Sequence, residues 1–298
     1  MNLDYLNKLM RLGIYKALLI WFFFISGQVH GKEPRVVIVY PGSETSRAQI
    51  YGQVIEGIEK ELGPTEQFEV PEGSGDIEAQ LDRLHPEKII ALGKKIAEAV
   101  NKTAYREQSL VGLAHFKAQG YNGVSLALDN SILCKQLSRF LPSVERVIVV
   151  QQSGYQAINN NPTTPCSSPK LEVREGGDSL ATIRMLGHLV EGEATATDAV
   201  IIPANLPIDI LYEVAKVAWD KKIILLSTNL DQLDTGTLMV FYPNPVALGT
   251  QLGQLVTKKK PGYESVKSID SALNKVVAQH LSIDFDPKIL DLITVKIK

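Results

Sequence analysis

Short apolar runs alternate with amphipathic helical patterns along most of this chain, and that alternation constrains the fold more than any other feature. Residues 35–40, 88–92 and 109–114 are continuous runs rich in apolar residues, which is typical of strands covered on both faces. The first run is followed, at 48–62, by apolar residues that recur at helical spacing. Strands and helices that alternate in this way predict a parallel sheet with right-handed crossovers.

The alternation of strands and helices starts again after a connection near residues 119–123. Further strands are predicted at 123–128, 146–150, 198–202 and 222–227, among others. Two series in tandem predict an α/β fold of two doubly wound parallel-sheet lobes, with a hinge and an interlobe cleft. The predicted limits are an N-terminal lobe at 32–120, a C-terminal lobe at 121–263, and a segment at 264–298 that returns across the hinge.

Residues 1–31 have the three parts of a secretory signal peptide. Basic residues come before the short apolar run 17–25, and a small-residue junction ends at Gly31. The uncharged stretch is shorter than the roughly 20 residues that a membrane span requires. We therefore expect cleavage after Gly31 and a periplasmic protein, with an uncleaved anchor as the alternative. No cysteine lies near the junction, so no lipid anchor is expected.

The charge pattern and the motif content argue against nucleic-acid binding and against catalysis. The formal net charge is −2, and the basic residues are scattered among acidic ones, whereas nucleic acid requires a basic stripe. The sequence has neither a Gly-x-Ser-x-Gly motif nor a glycine-rich phosphate loop, and no pair of histidines lies at metal-ligand spacing. We expect a monomeric protein that is not an enzyme and that needs no cofactor and no metal.

Cys134 and Cys166 are the two cysteines of the sequence. In an oxidising compartment they could form a disulfide. The alternative is a buried helix cysteine and an unrelated loop cysteine. The predicted topology brings both to the same edge of one sheet, which favours pairing without deciding it.

Several stretches, in a shared order, resemble one family. They are Gly123–Ser125 with 136–147, then 198–203 (Asp-Ala-Val-Ile-Ile-Pro), 241–255 with Leu248-Gly249 and Gly253, and 274–283. Together they resemble the substrate-binding proteins of ABC transporters, a family that includes aromatic amino acid binders, over about residues 35–287. The resemblance implies a type I periplasmic binding protein-like fold, an amino acid-like small molecule held between the lobes, and an ABC permease as partner.

The chain also departs from that family. It has Gly93-Lys94 where members carry Gly-Thr, His115-Phe116 where they carry Asp-Pro, and Ser125-Leu126 where they often have Ser-Asp. Residues 151–169 contain three prolines and three consecutive asparagines, so an outer helix of the second lobe is expected to be missing or reduced. These departures keep two alternatives open: a periplasmic sensing or accessory module that signals to a membrane receptor, and a non-binding scaffold.

Candidate ligand-binding residues follow the predicted strands, because ligands of open α/β sheets bind at the carboxyl ends of the strands. They are Tyr40, Ser43, Thr45, Ser46, Lys94, His115 and Phe116 in the first lobe, and Gln151, Asn205, Asn229, Asp231 and Tyr242 in the second.

Each candidate has a chemical reason and a simpler alternative. The hydroxyls and backbone amides at 43–46 could hold a carboxylate, or they could cap the helix that follows. Lys94 would favour an anionic ligand, unless it is a solvated lysine. Asp231 could pair with a ligand amine and Asn205 with a polar group, unless both lie on surface loops. The tyrosines could contact a ligand ring or pack at the edge of the core.

Overall fold

The computed structural model describes residues 35–42, 47–71, 76–159 and 168–297. The predicted signal peptide, the candidates Ser43, Thr45 and Ser46, and Cys166 lie outside the described residues. Across the described ranges, no helix is both long and apolar enough to cross a membrane.

Strands and helices alternate over the described chain, as the sequence predicts. The strands are β1 (Val36–Pro41), β2 (Glu66–Val70), β3 (Lys88–Leu92), β4 (Ser109–Ala114), β5 (Gly123–Leu128), β6 (Arg146–Gln152), β7 (Lys170–Gly176), β8 (Asp198–Ile201), β9 (Ile224–Ser227), β10 (Met239–Pro243), β11 (Tyr263–Val266), β12 (Ile269–Asn274) and β13 (Val295–Ile297). The helices are α1 (Arg47–Leu62), α2 (Ile77–Leu84), α3 (Lys94–Val100), α4 (Asn130–Phe140), α5 (Ser179–His188), α6 (Ile208–Lys221), α7 (Pro245–Val256), α8 (Lys275–His280) and α9 (Pro287–Leu290).

The strands form two sheets, one in each lobe. The first has the order β11-β5-β4-β3-β1-β2, and its neighbouring strands are all parallel. The second has the order β13-β12-β10-β9-β8-β6-β7, and it is parallel except where β12 runs antiparallel to β10. The predicted α/β fold of two parallel-sheet lobes is therefore confirmed.

Two elements that were predicted in the second lobe, β5 and α7, lie in the first. β5, predicted to begin the second lobe, pairs with β4 in the first sheet, and β11 pairs with β5 on its other side. Helix α7 also packs on the first lobe, where Leu252 meets Gly112 of β4. The alternation of strands and helices predicts each element but not the sheet that it joins, because that choice depends on long-range pairing.

The chain consequently passes between the sheets at three places, from β5 to α4, from β10 to α7 and from β11 to β12. Helix α4 belongs to the second lobe, where Phe140 contacts Phe241 of β10 with ring centroids 6.1 Å apart. Asp129 caps the start of this helix, since its carboxylate accepts hydrogen bonds from the backbone N–H groups of Ser131 and Ile132. Phe140 is its last residue, two positions before Pro142.

A bidentate ion pair joins the amino ends of β6 and β8, at the edge of the second sheet away from the strand carboxyl ends. Arg146 donates from Nε and Nη2 to the two carboxylate oxygens of Asp198, at 2.9 and 2.8 Å. This hydrogen bonding lowers the pKa of Asp198 to about 2. The Arg146 partner thus keeps the carboxylate ionised although the Asp198 side chain is almost fully buried, and the pair ties the two strands together.

Glycines allow α1 and α7 to approach closely, which fixes α7 on the first lobe after the chain returns there from β10. A Cβ added at Gly249 would overlap the backbone carbonyl oxygen of Val54, and one added at Gly57 would overlap that of Val246. Residues of both helices, including Ile58 and Leu252, belong to the main core cluster. The two backbones are thus in direct contact, without side chains between them.

We expect Gly249→Ala to destabilise the fold by about 2 kcal/mol, because the added methyl forces apart two packed helix backbones. Urea denaturation followed by circular dichroism measures this loss. Gly52→Ala is the matched control, since Gly52 lies in α1 with open space around its Cβ position. That change should be neutral or stabilise by up to about 1 kcal/mol. Equal effects of the two substitutions would contradict the close helix contact.

Candidate functional site

The carboxyl ends of strands from both sheets meet in the cleft between the lobes. Lys94 and His115 follow β3 and β4 of the first sheet, and both contact Tyr155, which follows β6 of the second. Lys117 Nζ, also after β4, lies 3.6 Å from Glu175 Oε1 on β7. Side chains of the two lobes therefore touch where ligands bind in open α/β sheets.

Tyr155 is the central residue of this contact. Its ring centroid lies 6.1 Å from that of His115, with 46° between the planes, and 5.4 Å from the Nζ of Lys94. The Tyr155 side chain is still partly open to solvent, at 38 % exposure. The positively charged Lys94 is itself 61 % exposed and lies 3.9 Å from the Glu98 carboxylate, so its attraction to the ring is modest.

His115 is a half-buried residue with a defined hydrogen bond across the cleft. Its Nδ1 lies 2.9 Å from the backbone carbonyl oxygen of Gln156. Because a carbonyl oxygen only accepts, Nδ1 carries a proton and donates it. Burial lowers the pKa of His115 below its usual value of 6.5, and the hydrogen bond to Gln156 opposes this shift in part. The imidazole is therefore held neutral near pH 7.

The segment that carries Tyr155 is held by its own backbone, and we name residues 153–159 the strap. A turn starts it, in which the backbone N–H of Tyr155 donates to the carbonyl of Gln152 at 2.9 Å. Gly154 has a φ of +87° in this turn, a conformation that glycine adopts without strain. The next residues lie beside Leu128, at the end of β5, in a parallel bridge with Ile158.

The strap occupies the connection where a helix was expected to be missing or reduced. Residues 153–159 and 168–169 of that connection contain no helix. Residues 160–167 lie outside the described part of the chain, so the prediction stays a prediction for them.

Tyr40 and Phe116 lie against aromatic neighbours of the first lobe. The ring of Tyr40 stacks on Tyr51 with centroids 6.1 Å apart, and burial and the nearby Glu69 raise its pKa. Phe116 is buried, with Tyr121 and Tyr263 edge-on at 5.7 Å each. These contacts give Phe116 a role in packing the first lobe.

Gln151 and Tyr242 of the second lobe also have structural partners. Gln151 is fully buried, and its Oε1 accepts the backbone N–H of Ala157 at 3.0 Å, which anchors the strap. Tyr242 is half-buried and packs against a cluster of Leu233, Val240 and Ala272. Its pKa is raised by burial and by the charge of Asp270.

Asn205, Asn229 and Asp231 form a second group, on the loops after β8 and β9. Asn205 Nδ2 donates to Gln152 Oε1 at 3.1 Å, and Asn229 Nδ2 donates to the carbonyl of Ala204 at 2.9 Å. The Asn229 side chain also accepts the backbone N–H of Asp231, which lies exposed in a short 3₁₀ turn. Asn229 thus shapes the loop, while Asn205 and Asp231 lie on its surface.

Two residues that pair across the cleft, Lys117 and Glu175, were not predicted, whereas Tyr155 follows a strand in a loop that the predicted topology turns toward the cleft. A signal for Tyr155 was present, since it follows a strand end and a Gly154 turn in the loop that departs from the family. Lys117 and Glu175 gave no signal, because their pairing depends on how the lobes face each other. Among the residues that the structure describes, no cluster of three histidine, cysteine or acidic side chains could hold a metal ion.

Cys134 lies buried in α4. The predicted partner, Cys166, lies outside the described residues, so the pairing itself remains a prediction.

The lowered pKa of His115 predicts a pH dependence of stability. The unfolded chain takes up a proton at a higher pH than the folded chain does, so protonation favours unfolding. The stabilisation from neutral His115 is therefore present above about pH 6.5 and is lost as the pH falls through the folded pKa. His115→Asn keeps a donor near Nδ1 and removes the titration. Urea denaturation at pH 7.5 and 5.5 should show a smaller loss for the variant, and equal losses would contradict a buried neutral imidazole.

Comparison with known proteins rests on structure alone. No family model matches the sequence, and no curated protein is similar to it in sequence. Solved structures do match. The ABC domain in complex with L-Trp from Streptococcus pneumoniae is 13% identical over 89% of this chain and 100% of its own, with a TM-score of 0.55.

Two further structures have the same arrangement. A ligand-free, open substrate-binding protein with adhesive properties from Clostridium difficile has a TM-score of 0.57 at 14% identity, over 89% of this chain and 100% of that one. A chain of a XylFII–LytSN complex has a TM-score of 0.51 at 10% identity, over 80% and 97%. Identities this low establish the fold and nothing more. The predicted resemblance is confirmed at that level: the chain has the type I periplasmic binding protein fold of ABC-type solute-binding proteins.

Proposed function

We propose that this protein captures a small molecule in the cleft between its lobes and acts by binding, without chemistry. The observation that carries the proposal is the meeting of polar side chains from both sheets at the strand carboxyl ends. Lys94 and His115 come from the first sheet, and Gln152 with Asn205 from the second. Ligands of two-lobed α/β proteins bind at this place, where loops from both lobes can surround them.

The chemistry of the cleft supports an amino acid-like ligand. Lys94 offers a positive charge to a carboxylate, and the exposed Asp231 offers a negative charge to an amine. The stacked pair of Tyr40 and Tyr51 and the partly open ring of Tyr155 offer apolar contact to a side chain. One protein of the same fold was solved with L-Trp, which supports this class of ligand.

We also propose a compartment and a partner for this protein. We place it in the periplasm after removal of residues 1–31, with delivery of the ligand to an ABC permease. The apolar run at 17–25 and the fold support this setting. A chain that binds and releases a solute for a membrane partner needs no cofactor and no nucleic acid.

A second candidate is a sensing or accessory module, or a scaffold without a ligand. The contact of Tyr155 with Lys94 and His115 favours this second candidate, because the Tyr155 ring covers two side chains that would otherwise face a ligand. The chain with the same fold in a XylFII–LytSN complex supports a role in partner binding.

Thermal unfolding against amino acids, purines and small anions tests the proposal. A ligand at about 100 times its dissociation constant should add roughly 2.7 kcal/mol to the unfolding free energy, which raises the melting temperature by several degrees. Lys94→Ala should weaken binding of a carboxylate ligand roughly tenfold or more, because it removes a charged partner. Lys95→Ala is the matched control, an exposed lysine at the next position of α3.

Two outcomes would count against the proposal. If a folded protein gave no shift with any compound, the sensing or scaffold candidate would replace it. If a ligand bound equally well to wild type and to Lys94→Ala, the binding would not involve this part of the cleft.

A further inference from the structure

The three passages of the chain between the lobes lie side by side and are hydrogen-bonded to one another. The backbone N–H of Asp129, after β5, donates to the carbonyl of Val266 at 3.2 Å. The backbone N–H of Asn244, after β10, donates to the carbonyl of Ser268 at 3.1 Å. Together these segments form a narrow ribbon, and any rotation of one lobe against the other must bend it.

The strap adds a fourth segment to this ribbon. The backbone N–H of Leu128 donates to the carbonyl of Ala157 at 3.0 Å, and the backbone N–H of Asn159 donates to the carbonyl of Leu128 at 2.9 Å. Leu128 is the last residue of β5, whereas the strap continues from β6 of the second sheet. The strap therefore pairs a segment of the second lobe with a strand of the first.

The strap is fixed to both lobes by side chains as well. On the second lobe, the buried Gln151 accepts the N–H of Ala157. On the first lobe, His115 donates to the carbonyl of Gln156, and Ser265 of β11 lies 3.4 Å from the Asn159 side-chain amide.

Burial strengthens this attachment. Ala157 is 3 % exposed and Ile158 is 0 % exposed, and both belong to the core cluster that contains Leu128. Opening the lobes would expose these apolar side chains and break hydrogen bonds that are now enclosed. The Lys117–Glu175 ion pair and the Lys94–Tyr155 contact lie in more exposed positions, where screening by water leaves them little strength.

We propose that the strap, residues 153–159, latches the two lobes together in the absence of any ligand. The hinge of this protein is then restrained by four hydrogen-bonded segments instead of three. The latch acts in the free protein and does not require the proposed ligand. It implies that a ligand reaches the cleft without wide separation of the lobes.

Hydrogen exchange of the ligand-free full chain tests the latch directly. The backbone amides of Leu128 and Asn159, which donate the hydrogen bonds between the strap and β5, should exchange about a hundredfold or more slowly than their intrinsic rates. His115→Ala removes the bond to Gln156 and the ring contact with Tyr155, and it should speed the exchange of both amides roughly tenfold or more. Tyr212→Ala is the matched control, since Tyr212 is 59 % exposed on α6, and it should leave both rates unchanged.

The latch would be contradicted if both amides exchanged at the intrinsic rate in the wild-type protein. It would also be contradicted if they became protected only after a ligand from the thermal screen was added. The wild-type measurement decides the question even if His115→Ala fails to fold. A slow exchange in a protein for which no ligand is found would support the latch and refute only the binding function.

Discussion

The backbone pairing of Leu128 with the strap governs how the two lobes of this protein relate to each other. Leu128 ends the strand from which the chain first leaves the first sheet, and both of its backbone polar groups bond to the second lobe's strap. Because Ala157 and Ile158 are buried around this pairing, its hydrogen bonds are shielded from water and costly to open. The hinge, the cleft and the orientation of Tyr155 all depend on this contact.

The strap also places Tyr155 beside two residues of the cleft that depart from the family. Lys94 and His115 stand where the family that the sequence resembles carries Thr and Asp, and both contact Tyr155. A lysine and a neutral histidine suit an aromatic ring from the chain itself, and they also leave a charge and a ring nitrogen for a ligand. The cleft can therefore be partly self-occupied and still bind, provided that Tyr155 moves aside.

Much of the fold could be predicted from local patterns, whereas the partners of the site residues could not. The strands at 88–92, 109–114 and 123–128 and the cap at Asp129 follow from apolar runs and capping chemistry, and the structure confirms them. The sheet that β5 joins and the pairing of Lys117 with Glu175 depend on contacts far apart in sequence. His115 follows a strand end as predicted, but no local pattern indicates that its hydrogen bond goes to Gln156.

The central claim is that the lobes stay together in the free protein because the strap holds the hinge. Small-angle X-ray scattering of the purified, ligand-free protein tests this claim most directly. The account predicts a profile that matches the structure and that does not contract when a ligand is added. A radius of gyration clearly larger than that of the structure, which falls on ligand binding, would contradict it and would identify an ordinary opening and closing hinge.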